Sequence, residues 1–83
     1  MIGYLLGSCR PTFYADGPVA LVDEVAVVQG ERGRGTGRSL MTAFERWAVG
    51  KGAVLVDVPT RRAAAFYRSL GYDETATVFR RRL

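Results

Sequence analysis

The sequence predicts an α/β (more narrowly α+β) domain in which two helices pack on a mixed β-sheet. Three observations carry this. A long β-branched run follows a Gly/Pro turn, two apolar stripes at helical spacing each run into glycine, and a short, nearly continuous apolar run lies between those stripes. Strand, helix and strand in succession make a β-α-β unit, which brings two strands into one sheet with a helix packed on it.

Ile2–Ser8 (I-G-Y-L-L-G-S) reads as the first strand, and Ala20–Val28 (A-L-V-D-E-V-A-V-V) as the second. Pro11–Pro18 separates them and ends in Ala15-Asp16-Gly17-Pro18, a turn signal, so the pair predicts an antiparallel hairpin with a long loop. Thr36–Val49 is the clearest helix: Leu40, Met41, Phe44, Trp47 and Ala48 recur on one face, and Gly50 and Gly52 end it. Ala53–Val58 (A-V-L-V-D-V) reads as a strand covered on both faces. Thr60 is placed to cap a second helix, Arg61–Leu70, with Pro59 before it and Gly71 as its left-handed stop. The stripe of that helix is Ala63, Phe66, Tyr67 and Leu70, and Thr75–Arg82 reads as a last strand. The predicted order is β-β-α-β-α-β in one domain spanning residues 1–83, without repeats or a linker.

The chain has 83 residues, 48% of them hydrophobic, so one small core is possible and a second domain is not. The formal charge is +4, and Lys51 is the only lysine, so the positive charge is almost all arginine. Arginine's planar fork favours phosphate or carboxylate partners. The lone Cys9 rules out an internal disulfide and reads as a small packing residue. Histidine is absent, which argues against zinc and Ser–His–Asp chemistry. Met1–Ser8 lacks a signal-peptide pattern, and no apolar run approaches the roughly 20 residues of a membrane span, so a soluble cytoplasmic protein is expected.

The segment Glu31–Arg38, E-R-G-R-G-T-G-R, joins the second strand to the first helix. Free N–H groups at a helix start, the positive end of the helix dipole and flanking arginines make an anion site. Two familiar phosphate loops do not fit. There is no G-K-[ST], and Gly33, Gly35 and Gly37 are spaced G-x-G-x-G with Leu40 where a dinucleotide fingerprint needs its third small residue. Arg32–Gly37 instead resembles the acyl-CoA-binding motif Q/R-x-x-G-x-G/A of the GCN5-related N-acetyltransferases (GNAT family), with Arg32, Gly35 and Gly37 at its fixed positions. A second signature of that family, N-x-x-A-x-x-x-Y-x-x-x-G-F, resembles Thr60–Tyr72, T-R-R-A-A-A-F-Y-R-S-L-G-Y. Ala63, Tyr67 and Gly71 fit, while Thr60 replaces asparagine and Tyr72 replaces phenylalanine. The resemblance runs from about Ile2 to the C-terminus. It leaves the family's usual N-terminal strand and the two helices after it without a counterpart.

The resemblance implies acetyl-CoA as co-substrate, no metal, and acyl transfer to a primary amine by direct attack. It implies that pantetheine pairs with the backbone of Val25, Ala26 and Val27. The pyrophosphate then rests on Arg32, Gly33, Arg34, Gly35, Thr36, Gly37 and Arg38, with Thr60 nearby. It makes Tyr67 the general acid that returns a proton to the CoA thiolate, although a place on the apolar stripe is equally what core packing requires. Glu24 is the candidate base for the incoming ammonium and Asp23 the alternative, since alternation along a strand points neighbours to opposite faces. Arg61 and Arg62 at a helix start oppose the dipole unless an anion is near.

Absent N-terminal elements would leave open sheet edges, so a homodimer or a partner chain completing the sheet is expected. A non-catalytic CoA-binding module is the first rival. A small nucleic-acid binder is the second, weakened by the scarcity of aromatics among the arginines of the last strand.

Overall fold

The computed structural model describes residues 2–12, 16–31, 33–60, 62–75 and 80–83. Its elements are β1 (Gly3–Arg10), β2 (Val19–Val27), a 3-10 turn (Gln29–Glu31), α1 (Thr36–Gly50), β3 (Leu55–Asp57) and α2 (Ala64–Ser69). The strands form one mixed sheet in the order β1-β2-β3, with β1 antiparallel and β3 parallel to β2. Of the predicted last strand, residues 76–79 lie outside the described residues, and its flanks at Thr75 and 80–83 are not strand.

The hairpin register contains one irregularity. Leu6 faces Glu24 while the next residue, Gly7, faces Val22, so Asp23 is an extra residue in β2. Such a bulge shifts the facing of every residue on one side of it. Ala20 and Val22 point into the core, and beyond the bulge Val25 does too, opposite Leu5. Glu24 is thereby turned to the other face, where it is exposed.

Helix α1 packs on one face of the hairpin. Met41, Phe44 and Ala48 are buried against Ala20 and Val22, with Leu5, Val25, Val56, Phe66 and Leu70 packed around them. Gly7 makes this possible: a Cβ there would strike the Phe44 ring and lie 2.7 Å from the Leu21 carbonyl oxygen. Trp47, expected on the buried stripe, is 42% exposed at the helix rim, where its ring stacks at a tilt on Phe44. The opposite face of the hairpin carries no helix among the described residues. There Ile2, Leu6 and Val28 are each more than half exposed.

Two expectations are corrected. Strand β3 is shorter than Ala53–Val58 and is not covered on both faces: only Leu55–Asp57 pair, with Val19–Leu21, and Val54 and Leu55 stay about half exposed. The run is apolar, but as the edge strand of the described sheet it has one neighbour instead of two. The second helix begins at Ala64 and not at Arg61. The Thr60 hydroxyl accepts the Arg62 N–H at 3.0 Å in a local turn, and the chain then passes through Ala63 in the left-handed region (φ 59°) before the helix starts. Arg62 therefore precedes the first turn and does not oppose the dipole from within it; Arg61 is outside the described residues.

Both helices stop as their glycines predict. Gly52 (φ 81°) donates to the Val49 carbonyl and Ala53 to Ala48; Gly71 (φ 92°) donates to Arg68 and Tyr72 to Tyr67. These are paired Schellman closures, in which a left-handed glycine satisfies the last free carbonyls. Among the described residues no helix is long and apolar enough to cross a membrane.

Candidate functional site

Strand β2 has two unlike edges. Val28 N–H donates to the Ile2 carbonyl at 2.7 Å, so antiparallel alternation makes Tyr4/Ala26 and Leu6/Glu24 the hydrogen-bonded pairs. Leu5/Val25 is then a non-hydrogen-bonded pair, and the N–H and C=O of Val25 turn away from β1. On that far side β3 stops pairing at Leu21, four residues before Val25. At Val25 the edge of β2 is thus not paired with β3.

The chain leaves β2 through the 3-10 turn and enters the glycine loop. Gly33 (φ 82°) and Gly35 (φ 83°) both adopt the left-handed region that side chains disfavour. An added Cβ at either would meet nothing within 4 Å, so the loop faces open space. Gly35 is the residue before α1, and no side chain caps that helix; its carbonyl accepts the Ser39 N–H. The N–H groups of Thr36, Gly37 and Arg38 belong to the first turn, where the helix itself supplies no acceptor. They converge with the positive end of a 15-residue dipole. Arg34 and Arg38 are exposed beside them, Arg34 lying 4.0 Å from the Glu31 carboxylate. Arg32 is outside the described residues.

Gly37 has a different duty. A Cβ there would lie 3.1 Å from the Phe66 ring, so this glycine seats α2 against the first turn of α1. The contact brings Tyr67 to the loop end of the molecule. Tyr67 is half-buried, its ring edge-on to Phe66 (5.1 Å between centroids) and to Tyr72 (6.0 Å). Burial raises its pKa above the ordinary 10.0, which keeps the phenol protonated and able to donate. Tyr72 is raised further by burial and by its 2.5 Å hydrogen bond to Glu45 of α1, which fixes the end of α2.

Val25, Ala26 and Val27 lie at the end of β2, and the 3-10 turn carries the chain from there towards Gly33–Arg38 and the uncapped start of α1. Tyr67 lies on the packed side of the sheet and Glu24 on the bare side, without contact between them. Thr60 is exposed, its hydroxyl engaged in the Arg62 turn. Sequence reasoning missed Tyr4, whose hydroxyl donates to Glu24 Oε1. The signal was available in the hairpin register, because Tyr4 opposes Ala26 and is the diagonal neighbour of Glu24 on one face.

Comparison with known proteins bears on the fold that carries this loop. Residues 1–74 match the family model described as an acetyltransferase (GNAT) domain. The chain belongs to the GNAT family. Among solved structures, the aminoglycoside acetyltransferase AAC(6')-Iy, in complex with a bisubstrate analogue of CoA and acetylneamine, is 27% identical with a TM-score of 0.83; the match covers 99% of this chain and 60% of that one. The aminoglycoside acetyltransferase meta-AAC0020 from an uncultured soil metagenomic sample, in complex with sisomicin, is 26% identical with a TM-score of 0.85, covering 99% and 58%. A transcriptional regulator from Bacillus halodurans C-125 has a TM-score of 0.90 at 23% identity, a likeness of fold alone, covering 99% and 58%. This GNAT chain thus spans about three fifths of the length of these structures. No curated protein matches its sequence.

Proposed function

We propose that this chain binds acetyl-CoA and transfers its acetyl group to a primary amine by direct attack on the thioester. One observation carries the reading: left-handed Gly33 and Gly35 deliver the chain into an uncapped α1 directly beyond the open edge of β2. Of Val25, Ala26 and Val27, expected to hold the pantetheine arm, Val25 turns its main-chain groups away from β1 and would hold it, whereas those of Ala26 are engaged by Tyr4. The amides of residues 33–38, with Arg32, Arg34 and Arg38 at the rim and Thr60 nearby, would hold the pyrophosphate. The open space above both glycines fits such a group.

In this reading Glu24 takes a proton from the incoming ammonium, directly or through one water, and frees the nitrogen lone pair. The nitrogen then bonds to the carbonyl carbon, the carbon–sulfur bond breaks, Tyr67 gives its hydroxyl proton to the departing thiolate, and the surplus proton on the nitrogen returns to the tyrosinate through water, leaving a neutral amide and a thiol. Because the phenol is the weaker acid, this transfer depends on Tyr67 standing next to the sulfur. Two of the similar solved structures are described as aminoglycoside acetyltransferases, which makes an amino sugar the first acceptor to try.

The uncovered face around Leu6 and the outer edge of β1 support a homodimer. Its check is the mass in solution by light scattering, where a monomer at micromolar concentration would overturn it.

The test of the function is calorimetric titration with acetyl-CoA alongside amine-dependent thiol release. Binding with turnover is expected, and failure to bind acetyl-CoA would overturn the reading. The rival is a CoA-binding module without catalysis. Binding without thiol release across amino sugars, diamines and peptide amines would establish that rival.

A further inference from the structure

The bare face of the hairpin holds one polar pairing. Tyr4 lies between Gly3 and Leu5 on β1, half-buried, and its hydroxyl donates to Oε1 of the exposed Glu24 on β2. The two residues are diagonal cross-strand neighbours, so the bond spans the strand pair next to the Asp23 bulge. Among the described residues no partner engages Glu24 Oε2.

We propose that Tyr4 is a positioning residue for Glu24, binding one carboxylate oxygen so that the other is held ready to accept the proton of the amine. The proposal rests on the reading of Glu24 as the base. A glutamate on an open face samples several rotamers, and only those that aim a lone pair at the nucleophile are productive. A hydrogen bond to the ionised carboxylate is of the stronger, charge-assisted kind. The tyrosine that donates it has a rigid ring carried on a paired strand, so little freedom is lost in the bond. The donor is also secure. The bond to Glu24, then burial, then the charge of Glu24 all raise the Tyr4 pKa above 10.0, and the phenol keeps its proton throughout the range in which an amine is acetylated.

The bulge explains why this pair exists. Were Asp23 regularly paired instead of bulged, Glu24 would share the face of Val22 and point into the core instead of beside Tyr4. The same irregularity therefore exposes the carboxylate and supplies its partner.

The experiment uses the full chain with tyrosine Cζ labelled by carbon-13, acetyl-CoA, and sisomicin as the amine. Glu24→Gln is expected to bring the Tyr4 titration back down towards the ordinary tyrosine value, read by NMR without reference to activity. Tyr4→Phe is expected to lower kcat about tenfold while the KM for acetyl-CoA stays unchanged. The double variant is expected to be no slower than Glu24→Gln alone, because Tyr4 acts only through Glu24. Losses that multiply in the double variant, or a Tyr4 titration indifferent to Glu24, overturn the positioning role and leave the base assignment standing. Full turnover by Glu24→Gln overturns the base assignment itself, and with it the role of Tyr4, even where the NMR coupling is seen. An unaltered chain that binds acetyl-CoA and releases no thiol has the same consequence.

Discussion

The two halves of β2 read almost alike in sequence and do opposite work. Before Asp23, Val19, Ala20 and Val22 are buried, with β1 on one edge and β3 on the other for Val19–Leu21. After it, Val25 keeps its side chain on the core while its main chain faces an edge that β3 never reaches. The first half is held by side chains and the second offers backbone. One bulged residue lies between them, and the two halves differ in their neighbours while matching in composition.

The comparison breaks most severely at Phe44, which packs under the first half. Phe44→Ala is expected to cost about 3–5 kcal/mol of unfolding free energy, measured by urea titration, because the hole lies between Gly7 and Val22 and cannot close. A loss under about 1 kcal/mol would mean the hairpin face is not the core. Gly35→Ala, at the far end of the second half, forces a side chain into φ 83°. It is expected to cost about 1–2 kcal/mol and to weaken acetyl-CoA binding by calorimetry, since the loop relaxes away from its amide-presenting shape.

A finer instrument is the Val25 N–H alone. An 83-residue chain is within reach of chemical ligation, so the Glu24–Val25 amide can be replaced by an ester that removes this donor and leaves the Glu24 carbonyl a weaker acceptor for Leu6. Acetyl-CoA affinity is expected to fall about tenfold, or ~1.4 kcal/mol. The urea midpoint should hardly move, because no β1 bond is lost; a large shift would show that this N–H serves the hairpin. The smallest effect is a control remote from both halves. Ala63→Gly relieves a left-handed alanine at the start of α2 and is expected to stabilise by about 0.5 kcal/mol, after the extra flexibility of glycine is set against the strain removed.

Burial also sets an alkaline boundary. Tyr67 and Tyr72 hold their protons in the folded chain to higher pH than in the unfolded one. Above about pH 10 the unfolded state therefore binds fewer protons, and stability falls as pH rises. Urea midpoints should be level from pH 7 to 9 and decline by pH 11, and Tyr72→Phe should flatten that decline.

Much of this was legible in the residues. The helical spacing of Met41, Phe44 and Ala48 and the stops at Gly52 and Gly71 follow from periodicity and from glycine's access to positive φ. The turn into α1 was legible because glycines directly before an amphipathic run mark a left-handed entry, as Gly33 and Gly35 adopt. What escaped depends on pairing at a distance. Thr60 looked like a helix cap because nothing local announces that Ala63 will turn left-handed. Ala53–Val58 looked doubly covered because hydropathy reports burial and not the number of neighbours. The Tyr4–Glu24 bond needed the register, which the bulge sets and alternation alone misplaces.

The bulge at Asp23 also bears on how this gene can change. Loss of that single codon would set Glu24 directly after Val22, straighten the ribbon and leave each neighbour on the side it already occupies. A residue added beside it would invert them, so this stretch should tolerate the loss of one codon far better than the gain of one.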